Sequence, residues 1–244
     1  MPDWLTARPI AHRGLHDSAS GVIENTPSAF EAALAGNYAI ECDLQLSADG
    51  EAMVHHDDVL GRLTDGAGWL DATTAADLKR APFKATADRM LALGDLCALV
   101  GGRTTLLLEL KGRHDGDARL PRRVAAVLEN YKGPVAVMSF DPGQVAALRD
   151  FSPGLLRGLV AMRPEQPRER NFSTGSGARF VLQALAARLS FLAYRVQDLP
   201  SALPSFARNV LGLPLLTWTV RTPEDRARAA RYVDQIIFEG WRPE

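Results

Sequence analysis

PIAHRGLHDSASGVIENTPSAFEAALAGNYAIECDLQLSADGEAMVHHDD, residues 9–58, sets strand, helix and strand in close succession. Pro9–His12 is a short apolar run, and Pro27–Ala35 carries helical spacing, with Ser28 as a candidate cap and Gly36 as a stop. Ala39–Leu46 reads as a second strand, Ser47-Ala48-Asp49-Gly50 as a turn, and Glu51–His55 as a returning extended run. Three polar features interrupt this pattern: His12-Arg13-Gly14, the acids Glu41 and Asp43 around Cys42, and His55-His56 before two aspartates. Such a set suits acid–base chemistry on a phosphate with a hard metal ion.

Outward from this stretch the alternation continues. Thr104–Leu110, Val135–Ser139, Leu155–Val160, Phe191–Val196, Leu215–Val220 and Gln235–Phe238 read as further strands. Helical patterns cover 91–100, 117–131, 142–151, 176–189, 199–210 and 223–232, with a polar loop over Arg163–Gly175. Residues 60–90, rich at first in Gly, Thr and Asp and then forming a short helix at 74–80, break the alternation as an insertion too short for a core of its own. Repeated βα units imply a parallel sheet with right-handed crossovers, and eight of them close into an α/β (β/α)8 TIM barrel. The alternative, an open doubly wound sheet, lacks a G-x-G-x-x-G after the first strand. The expectation is one barrel domain over residues 1–244, with a small insertion after the second strand.

Composition narrows the function classes. The 46% hydrophobic and 23% charged residues are ordinary for a soluble enzyme, and 28 Lys plus Arg against 29 Asp plus Glu call for neither nucleic acid nor an anionic membrane. The arginines of 221–231 read as a solvated helix face. Cys42 and Cys97 have no metal-site spacing and form no disulfide framework. The opening MPDWLTARPIAHRG has no apolar core of a secretory signal, and no run reaches the ~18 apolar residues of a membrane span. A cytoplasmic protein without stable membrane insertion is expected; no stretch marks an oligomer seam.

In a barrel of this kind the active site lies at the C-terminal strand ends. His12-Arg13 ends strand one, Glu41 and Asp43 lie late in strand two, Glu109 and Lys111 end strand three, Trp218 lies late in strand seven, and Glu239 follows strand eight. Side chains alternate along a strand, so Glu41 and Asp43 share a face while Cys42 points into the helix layer. Unpaired, two carboxylates directed into a barrel would repel strongly. A divalent cation relieves that, and with Glu109 the ligands are all oxygen, favouring Mg²⁺ or Ca²⁺ over Zn²⁺. Pairing of the acids with Arg13 and Lys111 in a structural network accounts for the spacing equally well. Of His55 and His56 only one should enter the site; a lone histidine there is often structural, but His12 makes an acid–base pair feasible. His16 and His114 fall in polar loops and carry no assignment. Asn25 and Thr26 are placed to cap the first helix, and the Ser18–Ser20 loop is only a weak phosphate signal.

Taken in order, HRG, ENT before the first helix, E-x-D-x-Q-x-S-x-D-G and V-x-H-D-D resemble the glycerophosphodiester phosphodiesterase family. Leu63-Thr64 with Gly66 and Gly68, Leu108-Glu109-Leu110-Lys111, Ser139-Phe140-Asp141 and Thr217-Trp218-Thr219-Val220 extend the resemblance along the chain. It implies a TIM barrel that hydrolyses glycerophosphodiesters to glycerol 3-phosphate and an alcohol with a divalent metal. By motif, His12 and His56 would be the acid–base pair, with His55 as the outward neighbour. Glu41, Asp43 and Glu109 would hold the metal, Arg13 and Lys111 would contact phosphate, and Asn25 and Trp218 would shape the pocket. The sequence departs at Ile23, at Cys42, and at Phe238-Glu239-Gly240-Trp241, where the family commonly has Thr-Asp and a proline. That last change is expected to touch the rim and substrate choice more than catalysis. Two other functions stand beside this one: a barrel phosphodiesterase for lysophospholipids, with Trp69, Leu70 and Trp241 as an apolar rim, and a non-catalytic barrel sensing a phosphorylated metabolite. The second should have lost a catalytic or metal position, and none is missing.

Overall fold

A computed structural model describes residues 2–163 and 177–244. Eight parallel strands close on themselves: β1 (Ile10–Ala11), β2 (Ala39–Leu46), β4 (Leu106–Leu110), β5 (Val135–Ser139), β6 (Leu156–Ala161), β7 (Phe191–Arg195), β8 (Leu215–Val220) and β9 (Gln235–Phe238). Closure comes at β1, which pairs with β2 on one side and β9 on the other. The remaining strand, β3 (Ala52–Val54), runs antiparallel to the end of β2 outside this ring. Helices α1 (Pro27–Ala35), α3 (Leu93–Val100), α4 (Arg119–Leu128), α5 (Pro142–Phe151), α6 (Gly177–Ala187), α7 (Ala202–Asn209) and α8 (Pro223–Tyr232) lie between strands in the chain, and α2 (Ala75–Arg80) belongs to the insertion. This is the TIM barrel that the strand count implies. The polar loop expected at 163–175 falls, from residue 164 on, outside the described residues.

Strand parity divides the apolar residues into two cores. Ile10, Ala39, Leu107, Ala136, Met138, Val160, Phe191, Ala193, Leu216 and Ile237 fill the barrel interior, joined from the N-terminal 3-10 turn (Asp3–Leu5) by Leu5. Their chain neighbours Ala11, Ile40, Cys42, Leu106, Leu108 and Phe238 pack outward against the helices. Cys42 therefore turns away from the site, as its parity requires. Phe191 fills so much of the interior that a Cβ at Gly158 would lie 2.2 Å from its ring.

Several local expectations are corrected. The first strand has two residues because Pro9 lacks an N–H and Arg13 turns away at a φ of 57°. Thr26, not Ser28, is the N-cap residue of α1, with Pro27 in its first turn; no side-chain cap bond forms, and the Thr26 hydroxyl donates to Ile23 O instead. Thr104 and Thr105 precede β4 and instead donate their hydroxyls to Tyr38 O and Trp4 O. The insertion packs Leu60, Leu70, Leu78, Phe83 and Met90 against Ile23, Met53 and Ala92, so it has a core only by borrowing from the barrel.

Candidate active site

Interior parity carries a polar set to one end of the barrel. Ala39, Glu41 and Asp43 share a face of β2, and Glu109 sits level with Asp43 on β4. Beyond β1, β4 and β9 the same parity brings in His12, Lys111 and Glu239. A cavity of about 230 Å³ opens here, lined by His12, Arg13, Glu41, Asp43, His56, Glu109, Lys111, Trp218 and Arg221 among others. Every residue proposed from sequence for the site lines it except Asn25, which acts from behind.

One oxygen from each of Glu41, Asp43 and Glu109 lies within 4.8 Å of the others, and all three residues are buried. Burial, then the neighbouring Asp43 and Glu109 charges, push the Glu41 carboxyl well above its usual range. Its Oε1 is buried with no hydrogen-bond partner among the described residues, while its Oε2 accepts from Arg13 N at 2.9 Å. Asp43 differs: although burial acts against its charge, Lys111 and Arg13 hold it well below the carboxylate range. Lys111 Nζ lies 2.8 Å from Asp43 Oδ1 and 2.6 Å from Glu109 Oε1, and these acids outweigh its burial and raise its pKa. Arg13 Nε is 3.2 Å from Asp43 Oδ2 but misaligned for a hydrogen bond, and Arg13 Nη1 donates to Glu24 at 2.7 Å. Thus the ion-pair network and the acid cluster coexist, with Glu41 the acid that no Lys or Arg side chain among the described residues pairs. An all-oxygen set with an orphaned buried carboxylate oxygen fits a hard divalent cation.

The loop after β1 is built for this geometry. Arg13 and Asn25 both take φ of 57°, and Gly14 takes 80°. A Cβ on Gly14 would stand 2.8 Å from Ala29 Cβ, so the close approach of this loop to α1 requires glycine. Asn25 does not cap the helix. Its Nδ2 donates to Asp43 Oδ2 at 2.9 Å and its Oδ1 accepts from Asp43 N at 3.3 Å, which orients the acid.

The histidines separate as the sequence requires. His56 reaches the cavity, its Nδ1 2.9 Å from Asp57 Oδ1. His55 turns away, but it is not a surface group: it is buried near Phe83 of the insertion, and burial lowers its pKa. His12 Nδ1 lies 2.6 Å from Glu239 Oε2, and its Nε2 lies 4.0 Å from Glu41 Oε2. Burial works to raise the Glu239 pKa, yet His12 and Arg221 bring it well below the carboxylate range.

Glu239 is thus the residue whose role the sequence reading misplaced. It contacts a site histidine directly instead of only shaping the rim, and its shared parity with Ile237 on β9, beside β1, was the available signal. His16 was also passed over; its Nε2 lies 3.9 Å from Glu239 Oε2, and burial lowers its pKa. Arg221 belongs to the mouth and not to a solvated helix face, bonding Glu239 at 2.8 Å. Of the apolar rim candidates only Trp69 is exposed, at 56%. Leu70 is buried in the insertion, and Trp241 packs on Phe238 with the Arg226 guanidinium 3.8 Å over its ring.

A closed (β/α)8 barrel carrying an acid triad and two histidines at one end defines the class of protein. Residues 12–239 match the model of the glycerophosphoryl diester phosphodiesterase family, and the chain belongs to that family. A glycerophosphodiester phosphodiesterase of Caldanaerobacter subterraneus is 27% identical over 244 aligned residues, covering 94% of this chain and 93% of that protein. Two solved structures share the barrel. An Oleispira antarctica phosphodiesterase in complex with the product sn-glycerol-3-phosphate has a TM-score of 0.78 at 21% identity, covering 96% of this chain and 94% of that one. A glycerophosphodiester phosphodiesterase from Thermotoga maritima has a TM-score of 0.73 at 22% identity, covering 94% and 92%.

Proposed function

We propose that the protein is a single-domain, metal-dependent hydrolase that converts glycerophosphodiesters to sn-glycerol 3-phosphate and an alcohol. The observation that carries this reading is the convergence of Glu41, Asp43 and Glu109 beside His12 and His56 in one cavity. Family membership supports it, as does the product held by the Oleispira antarctica relative.

Glu41, Asp43 and Glu109 would hold a Mg²⁺ or Ca²⁺ ion, which when bound would supply positive charge against the phosphate. Arg13 and Lys111 add fixed positive charge at the same wall, where anionic charge develops in the transition state. One imidazole takes the proton of the neighbouring glycerol hydroxyl as that oxygen attacks phosphorus. The other donates a proton to the departing alcohol, and water then opens the cyclic phosphate with the roles reversed. Having nucleophile and phosphorus in one molecule raises their effective concentration, which explains a requirement for the glycerol moiety. Trp218, whose buried Nε1 has no partner among the described residues, lines the pocket and orients the substrate. We further infer a cytoplasmic enzyme of lipid-derived glycerophosphodiester turnover, resting on the balanced charge and the polar mouth.

The test is release of glycerol 3-phosphate from glycerophosphocholine or glycerophosphoethanolamine with Mg²⁺, Ca²⁺ or EDTA. Metal-dependent release is expected, reduced on the order of 10²–10⁴-fold in both His12→Ala and His56→Ala. No release by the folded wild-type protein with either metal refutes the reading.

A further inference from the structure

The carboxylate of Glu239 stands between an arginine and a histidine. Arg221 Nε donates to Glu239 Oε1 at 3.1 Å and Nη2 to Oε2 at 2.8 Å, so the carboxylate is clamped from one side. On the other, its Oε2 lies 2.6 Å from His12 Nδ1. His16 Nε2 is 3.9 Å from the same oxygen, beyond hydrogen-bond reach, so the short bond belongs to His12. An ionised carboxylate only accepts, which requires the proton of this bond to sit on Nδ1. A neutral imidazole then has its lone pair on Nε2, the nitrogen that lies 4.0 Å from Glu41 Oε2 on the cavity side.

We propose that Glu239 is a positioning residue that holds His12 in its Nδ1–H tautomer, directing Nε2 at the reacting atoms, with Arg221 fixing Glu239. The inference rests on the reading of His12 as one of the acid–base pair. It reassigns the C-terminal departure from the family pattern: Phe238 packs among the outer core, and the next residue sets the proton inventory of a histidine 227 positions earlier.

The same construction recurs at the second histidine. His56 Nδ1 lies 2.9 Å from Asp57 Oδ1, and Arg62 donates to both Asp57 oxygens, at 2.5 and 3.0 Å. Two Arg–carboxylate–His chains therefore hold two imidazoles that line one cavity. Each carboxylate also offsets the charge its imidazole gains on accepting a proton. The chains differ in exposure: the His12 side chain is 14% exposed and His56 33%. Loss of the His12 clamp therefore leaves an imidazole that solvent orients poorly.

Two measurements test this. Long-range ¹H–¹⁵N spectra of the five histidines, recorded through a pH series into the neutral imidazole form, should show His12 with its proton on Nδ1. His12→Ala assigns the signal. In Glu239→Ala that tautomer should give way to a mixture with Nε2–H. Kinetically, Glu239→Ala and the isosteric Glu239→Gln should lose on the order of 10²-fold in kcat, with KM within about threefold of wild type. Glu239→Asp, which keeps the charge on a shorter arm, should recover part of the loss. The proposal is overturned by an Nε2–H tautomer in the wild type, or by kcat within about threefold of wild type in both Ala and Gln variants. A wild-type protein that releases no glycerol 3-phosphate removes the proposed activity, while the tautomer spectrum still decides the role of Glu239.

Discussion

Replacing Glu41 by Gln should stabilise the metal-free protein while abolishing its response to metal. The carboxyl is buried, one oxygen has no partner, and burial together with Asp43 and Glu109 raises its pKa. Its ligand oxygen lies within 4.8 Å of one oxygen on each neighbour. At an effective dielectric near 20, two unit charges at that separation repel by roughly 3 kcal/mol. Lys111 cancels part of this through its bonds to Asp43 and Glu109. Protonation of Glu41 bounds the rest, leaving an expected gain of roughly 1–3 kcal/mol on neutralisation. Saturating metal acts oppositely: at about 100 times Kd the wild type gains about 2.7 kcal/mol, a Tm rise of roughly 5–11 °C for a domain of this size. Thermal melts of both proteins in EDTA and in Mg²⁺ or Ca²⁺ measure the two effects. An EDTA-treated Glu41→Gln protein less stable than wild type, or one that keeps the full metal-induced rise, refutes the reasoning.

Gly14→Ala should cost roughly 2–5 kcal/mol, combining a left-handed residue with overpacking against Ala29; a urea midpoint unchanged from wild type would contradict the close approach. Arg62→Ala should change stability by no more than about 1 kcal/mol, because Arg62 is half exposed, yet lower turnover by freeing Asp57 and so His56. Steady-state kinetics beside a urea melt would expose any failure of that split. Stability should fall on acidification in two windows. Buried His55 and half-buried His16 have depressed folded pKa values, so their contribution is complete above the unfolded value of ~6.5 and declines below it. Asp57, opposed by burial but drawn down by Arg62 and His56 to about 2, contributes above the unfolded value of ~3.9 and loses this as pH falls toward 2. Asp57→Asn should flatten the lower window in urea melts from pH 5 to 3, and an unchanged slope would exclude it.

Much of the site was legible because strand parity is local. Glu41 and Asp43 two residues apart on β2, and Glu109 on β4 with Lys111 two residues on, just past its end, follow from the period of the strand alone. Parity likewise separates Cys42 from the acids. For His55 and His56 parity says only that one enters the site; the family motif selects His56, and β3 already ends at Val54. Where roles depended on contacts across the barrel, sequence was silent or misleading. Local pattern makes Asn25 a candidate cap, and only the family resemblance sets it at the pocket; its side chain spans to Asp43. Glu239 looked like rim, His16 looked unremarkable, and Trp241 looked available to substrate.

From sequence alone came the eight-strand alternation, the barrel, the acid triad with its two histidines, and the family resemblance, since periodicity and short motifs are encoded within a few residues. Only the closed barrel decided that β9 lies beside β1. That neighbourhood sets Glu239 against His12, the β8–β9 pairing sets Arg221 against Glu239, and the β2–β4 pairing sets Lys111 between two acids, because hydrogen bonds and charge pairs depend on distances of about 3 Å that no local pattern contains.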